Sequence, residues 1–93
     1  MSGSREGKII TPIRKAMDDK RYKGVKFHCK SPEHAETVRT CAYITGIKRN
    51  GYMFKSHRNN CELIIYKEGV DIWAGGKYIH VYFDNHGQYD MLE

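Results

Sequence analysis

The sequence predicts a two-layer α+β single domain, with two helices packed on one face of a mainly antiparallel sheet of three to four strands. Three observations lead to this prediction. Residues 25–30 and 77–83 alternate between apolar and polar side chains, as half-buried strands do. Residues 52–57 and 61–66 are two aromatic and β-branched runs separated by three residues, which is typical of a hairpin. Two segments that open with Thr-Pro and Ser-Pro continue with apolar residues at helical spacing.

The length of 93 residues, 40% of them hydrophobic, suffices for one core. We expect residues 1–9 to be a disordered lead, residues 10–87 to form the compact domain and residues 88–93 to be a tail. No apolar run approaches the roughly 20 residues that span a bilayer, and the N-terminus lacks a signal-peptide core. The sequence therefore predicts a cytoplasmic protein with no membrane partner.

The first helix is expected from Pro12 to about Arg21, docked through Ile13 and Met17. The second begins after Ser31, whose hydroxyl suits an N-cap, with proline following at the first helical position. Its buried stripe consists mostly of small residues and ends at a glycine, so the helix should lie close to the sheet.

The strand at 25–30 should bury Val25, Phe27 and Cys29 and present Lys26, His28 and Lys30 to solvent. The second run of the hairpin is apolar on both faces, which predicts a central strand with neighbours on both sides. The last strand should bury its odd-numbered residues from 79 to 83 and present Tyr78, His80 and Tyr82 on the opposite face.

The charge distribution is uneven along the chain. Residues 1–61 contain fourteen Lys and Arg against five acids, whereas residues 62–93 contain two against six. Such a division within one small domain produces an oriented field whose basic end attracts polyanions. It equally suits simple solubility, because many small domains have a net charge near +5.

The polar strand positions interleave cations with flat rings, which suits phosphate neutralisation and base stacking. Because stacking needs splayed bases, single-stranded RNA is favoured over DNA. The predicted function is therefore a small nucleic-acid-binding module that acts without chemistry of its own. A separate basic rim could extend the footprint along phosphates; it consists of Arg14, Lys15, Lys20, Arg21, Lys23, Lys48, Arg49 and Arg58. The candidate binding residues are Lys26, His28, Lys30, Lys48, Arg49, Lys55, His57, Arg58, Tyr78 and Tyr82.

Other interpretations stay open. Lys, His and Tyr are ordinary residues on the solvent-exposed face of any strand. The chain could instead be a regulator or inhibitor, of accessory or viral type, that docks on the acidic surface of a nucleic-acid enzyme through Trp73. A second alternative is a metal-independent ribonuclease that uses His28, His57 and His80 as acid and base. The uneven charge also permits self-association.

The sequence contains three cysteines, at positions 29, 41 and 61, and an odd number favours free reduced thiols over a disulfide framework. Cys29-x4-His34 and His57-x3-Cys61 supply ligand types that zinc accepts, but they lack the tight spacing of a CxxC pair. Gly75-Gly76-Lys77 is too short for a phosphate loop. We therefore expect neither a metal nor a cofactor.

Overall fold

The computed structural model describes the backbone of residues 4–83 and 89–92 and the side chains of residues 9–83. The chain forms a small α+β domain with two helices and a mixed sheet, as the sequence predicts. The elements are α1 (Ser4–Asp18), β1 (Tyr22–His28), α2 (Pro32–Ile44), a 3₁₀ turn (Lys48–Asn50), β2 (Tyr52–His57), β3 (Glu62–Lys67), β4 (Lys77–Phe83) and β5 (Tyr89–Leu92).

The strands are arranged in the order β2-β3-β1-β4-β5. The pairs β2/β3, β1/β3 and β4/β5 are antiparallel, whereas β1 and β4 are parallel. The sheet is therefore mixed and has five strands, where three to four were expected. The strand that is apolar on both faces, β3, lies between β2 and β1 as predicted.

One side of the sheet, here called the helical face, packs with α1 and α2 around the core. Ile9 and Ile13 of α1 and Val38 of α2 are buried in the same cluster as odd-numbered residues of the strands. Those strand residues are Val25, Phe27, Leu63, Ile65, Ile79, Val81 and Phe83. Because side chains alternate along a strand, the even-numbered residues of β3, β4 and, from Gly24 onward, β1 point to the other side of the sheet. Tyr22 precedes a register shift in β1 and is buried in the core.

The first helix begins earlier than predicted. The expected disordered lead of residues 1–9 is helical from Ser4, and Pro12 lies inside the helix instead of at its start. Ile9 is buried in the core one turn before Ile13, so the packed stripe extends back beyond the proline. The second helix begins as predicted, because the Ser31 hydroxyl accepts a hydrogen bond from the backbone N–H of His34 at 3.1 Å.

The expected tail at 88–93 contains a strand, since Tyr89–Leu92 pairs with β4. Residues 1–3, 84–88 and 93 lie outside the described residues. The segment 70–73 is part of the loop that connects β3 to β4. Within the described part of the chain, no helix is both long enough and apolar enough to cross a membrane.

Candidate nucleic-acid interface

The side of the sheet opposite the helices, here called the open face, collects polar and aromatic side chains in rows across the strands. One row consists of Lys55, Ile64, Lys26 and His80, and the next of His57, Glu62, His28 and Tyr82. A third row, at the far end of the strands, consists of Met53, Tyr66, Gly24 and Tyr78. The structure therefore places most of the strand residues selected from the sequence on one surface.

Two lysines on the open face each lie over an aromatic ring. The ammonium of Lys26 is 4.6 Å from the centroid of Tyr78, and that of Lys55 is 5.3 Å from the centroid of Trp73. Both lysines are half-buried and flank Ile64, which is only 4% exposed. Their aliphatic stems therefore lie along apolar surface while the charged ends stay close to flat rings.

The loop of residues 68–76, here called the crossover loop, rests on one end of the open face. The Tyr78 hydroxyl donates to the carbonyl oxygen of Ile72 at 2.9 Å, and the Lys23 ammonium donates to that of Asp71 at 2.8 Å. Burial raises the pKa of Tyr78, with smaller contributions from Asp71 and Tyr66. Tyr78, a candidate binding residue, and Lys23, a residue of the predicted basic rim, therefore hold this loop in place.

The crossover loop leaves its tryptophan in solvent. Trp73 is 71% exposed, and its backbone N–H donates to the carboxylate of Asp71 at 3.0 Å. The contact with Lys55 places the indole above the open face. Among the described residues, the large exposed rings at this surface are Trp73 on the loop and Tyr82, 42% exposed, on β4.

Glu62, His28 and His80 form a chain of close polar contacts, here called the histidine relay. Nδ1 of His28 lies 3.2 Å from Oε2 of Glu62, and Nε2 of His28 lies 2.8 Å from Nδ1 of His80. The two imidazoles are within 14° of parallel. Tyr82 stacks on His28 with centroids 4.4 Å apart and an interplanar angle of 10°. The relay thus crosses β3, β1 and β4.

The partners in the relay determine which ring nitrogens carry hydrogen. A carboxylate can only accept a hydrogen, so Nδ1 of His28, 3.2 Å from Oε2 of Glu62, is the ring nitrogen expected to carry one. Nε2 of a neutral His28 then accepts the hydrogen on Nδ1 of His80, which leaves Nε2 of His80 unprotonated. Burial lowers the pKa of both histidines. Lys26 lowers both further and Glu62 opposes the change, while Arg58 adds to the lowering at His28.

Glu62 is the part of the site that the sequence did not identify. It is 4% exposed, and its Oε1 is buried without a hydrogen-bond partner among the described residues. An acid at the start of an apolar run usually indicates a solvated strand end. Its even number does place it on the same side of the strand as Ile64. Only the strand order, however, shows that His28 is its neighbour.

His57 does not join the relay, so the predicted group of three histidines is only partly brought together. His57 is exposed at the end of β2, opposite Glu62. Three strand spacings, about 14 Å, separate β2 from β4 and therefore His57 from His80. These two histidines cannot act on the same phosphodiester.

The remaining selected cations lie at the two ends of the sheet. Lys30 follows β1 and Arg58 lies in the turn between β2 and β3, both exposed beside the Glu62 end. Arg58 has a left-handed backbone, φ 50°, as do the two asparagines that follow it. Lys48 and Arg49 form the 3₁₀ turn before β2, at the opposite end.

The predicted basic rim is not one continuous surface. Arg14 and Lys15 lie on α1 and are therefore on the helical side of the sheet. Arg21 forms an ion pair with Asp19 at 2.7 Å, which lowers the pKa of that carboxyl to about 2. Lys20 is exposed in the turn between α1 and β1.

The three cysteines are free and half-buried. The backbone N–H of Cys29 donates to the carbonyl oxygen of Cys61 at 2.9 Å. Burial raises the pKa of the Cys29 thiol to about 12, with a smaller contribution from Cys61. Among the described residues, no group of three or more His, Cys, Asp or Glu is arranged to hold a metal ion.

Comparison of the chain with protein-family models, with curated proteins and with solved structures finds no match.

Proposed function

We propose that the open face binds single-stranded nucleic acid, with RNA favoured over DNA. The observation that supports this most directly is the placement of Lys26 and Lys55 in one row, beside Tyr82 and Trp73, on the side of the sheet that the helices leave uncovered. Ammonium groups neutralise phosphates, and exposed rings stack on bases without regard to sequence.

The rings at this surface are ordered before a ligand arrives. Tyr82 is stacked on His28, and Trp73 lies against Lys55 while its backbone is bound to Asp71. A ring that is already held loses little conformational entropy when a base stacks on it. Stacking on these two rings therefore costs less than stacking on freely rotating side chains.

Cations at the Glu62 end of the sheet extend the basic surface. Arg58 and Lys30 are exposed there, and the effect of Arg58 on the pKa of His28 indicates that its charge lies near the open face. A single strand that stacks on Tyr82 would run towards these two residues. Phosphate contacts of this kind set the position of the strand and carry no base preference.

The preference for RNA rests on His80. Its unprotonated Nε2 is a hydrogen-bond acceptor on the open face, and the 2′-hydroxyl is a donor that DNA lacks. Burial lowers the pKa of His80, so the ring remains neutral at pH 7 and the acceptor is available.

The test is equilibrium binding of a labelled mixed-sequence RNA strand, with the DNA strand and the RNA duplex as competitors, over a salt series. The double substitution Lys26→Gln/Lys55→Gln should flatten the log–log salt slope by about 1.4, because each lost phosphate contact on a single strand contributes about 0.7. Between 50 and 200 mM salt, a slope change of about 1.4 corresponds to about a sevenfold smaller loss of affinity.

The matched control is Lys67→Gln/Lys77→Gln. It removes the same charge from exposed lysines at strand positions whose register places them on the helical face. Equal slope changes in the two double variants would show that net charge, and not the open face, governs binding.

The exposure of Trp73 favours a second candidate, a regulator that docks on an acidic protein surface. The same titration separates the two candidates. If the labelled strand does not bind at low salt, nucleic-acid binding is refuted and a protein partner becomes the function to pursue.

A further inference from the structure

We propose that the histidine relay is a general-base site that cleaves bound RNA through its 2′-hydroxyl, without a metal ion. This proposal rests on the proposed RNA binding, because the open face must first hold a strand. It assigns His80 as the base, His28 and Glu62 as positioning residues, and Lys26 as the cation beside the reacting phosphate.

The direction of the relay supports this assignment. Oε2 of the buried Glu62 lies 3.2 Å from Nδ1 of His28, and Nε2 of His28 is hydrogen-bonded to Nδ1 of His80 at 2.8 Å. With hydrogen on Nδ1 of both rings, Nε2 of His28 accepts from His80, and Nε2 of His80 is the ring nitrogen that neither carries a hydrogen nor accepts one within the relay. A carboxylate at the far end of such a chain stabilises the positive charge that appears when Nε2 takes a proton. The buried carboxylate of Glu62 therefore stabilises, through His28, the protonated form of His80.

Lys26 is placed to act on the same phosphate. It is directly opposite His80 in the parallel register of β1 and β4, on the same face of the sheet. Its charge also reaches the imidazole, because Lys26 lowers the pKa of His80. An ammonium beside the base can stabilise the charge that develops on a phosphorane.

The chemical step is an internal transesterification of the RNA strand. Nε2 of His80 takes the 2′-hydroxyl proton, the 2′-oxygen attacks the adjacent phosphorus, and the bond from phosphorus to the 5′-oxygen breaks. The Lys26 ammonium gives a proton to the departing 5′-oxygen. The products are a 2′,3′-cyclic phosphate and a 5′-hydroxyl. His80 then returns its proton to water and Lys26 regains one, so no oxidant or metal is needed.

The probe is a labelled DNA strand with one ribonucleotide, incubated in EDTA, with the all-DNA strand as the substrate that lacks a nucleophile. We expect cleavage only at the ribonucleotide, with a cyclic phosphate on the product. His80→Asn should slow cleavage of the bound strand, measured at saturating protein, at least about 100-fold, the usual contribution of a general base. Imidazole added to His80→Gly should restore part of the rate.

Glu62→Gln tests the positioning role through the pH profile. Glu62 raises the pKa of His80, so its neutral replacement should move the rising limb of the rate to lower pH and decrease the plateau about tenfold. Glu36→Gln, an exposed change of equal charge on α2, should leave the profile in place. Circular dichroism of each variant establishes that it is folded.

The outcomes separate the two proposals. An RNA strand that binds the open face but stays intact in EDTA refutes cleavage and leaves binding standing. Cleavage that persists in folded His80→Asn also refutes the relay, since the activity then belongs to another group or to a contaminant. A strand that does not bind at low salt refutes both proposals.

Discussion

Replacement of Tyr82 by leucine tests base stacking separately from charge. The Tyr82 ring is held by His28 at 4.4 Å and is still 42% exposed, so a base can stack on it without an ordering cost. Loss of one stacked base costs about 1–3 kcal/mol, which raises the dissociation constant about 5- to 150-fold. Because no charge is removed, the salt slope should stay the same.

The control for this prediction is Tyr43→Leu. Tyr43 is 58% exposed on α2 and also makes one internal aromatic contact, an edge-to-face pair with Phe54 at 6.0 Å. Fluorescence anisotropy of a short labelled RNA at several salt concentrations measures both affinity and slope. The loss of the His28 stack costs about 0.5–1.5 kcal/mol of stability, so binding is measured well below each variant's melting temperature. Equal weakening by the two substitutions would refute a stacking role for Tyr82.

Three further predictions follow from the open face. Burial lowers the pKa of His28 and His80, so the unfolded chain takes up more protons and the free energy of unfolding should fall as pH drops below about 6.5. Urea titrations at pH 7.5 and 5.5 measure this fall, and His80→Gln should make it smaller. Gly24→Ala should destabilise the domain by about 1–3 kcal/mol, because the added Cβ would run into the backbone oxygen of Ile65 and lie 3.1 Å from Cβ of Tyr66. Gly75→Ala, with open space around it, should cost much less in the same thermal unfolding assay. Trp73, the only tryptophan, should emit at the wavelength of a hydrated indole both before and after unfolding. Its fluorescence should be quenched when RNA stacks on it. An unchanged emission at saturating RNA would show that the strand binds elsewhere.

The alternation of side chains along strands could be predicted from the sequence because it depends on local geometry alone. The bounds of β4, the start of α2 and the central place of β3 all follow from periodicity, a capping serine and a run that is apolar on both faces. The early start of α1 could not be predicted from the sequence, because Pro12 by itself indicates that a helix begins there. Burial of Ile9 against the sheet is a tertiary effect that outweighs that local preference.

The relay could not be predicted because it depends on which strands become neighbours. Residues 28, 62 and 80 are far apart in sequence, and His28 meets both partners only because β1 lies between antiparallel β3 and parallel β4. Several orders of the same strands satisfy the same pattern of apolar residues. His57, equally prominent in the sequence, is excluded from the relay by its place on β2 at the edge of the sheet.

The energetics of Glu62 favour a functional origin for the relay. A buried carboxylate whose second oxygen has no partner among the described residues is costly, and an apolar residue at this place in β3 would commonly be as stable or more so. The neighbouring positions 63–65 are all buried apolar residues, so packing alone gives no reason for an acid. What the carboxylate does provide is an orientation for His28 and, through it, an unprotonated nitrogen on His80. A network that sacrifices stability to prepare one acceptor atom, in the same row as a lysine and on the face of the sheet away from the helices, is the arrangement expected where that atom meets a ligand.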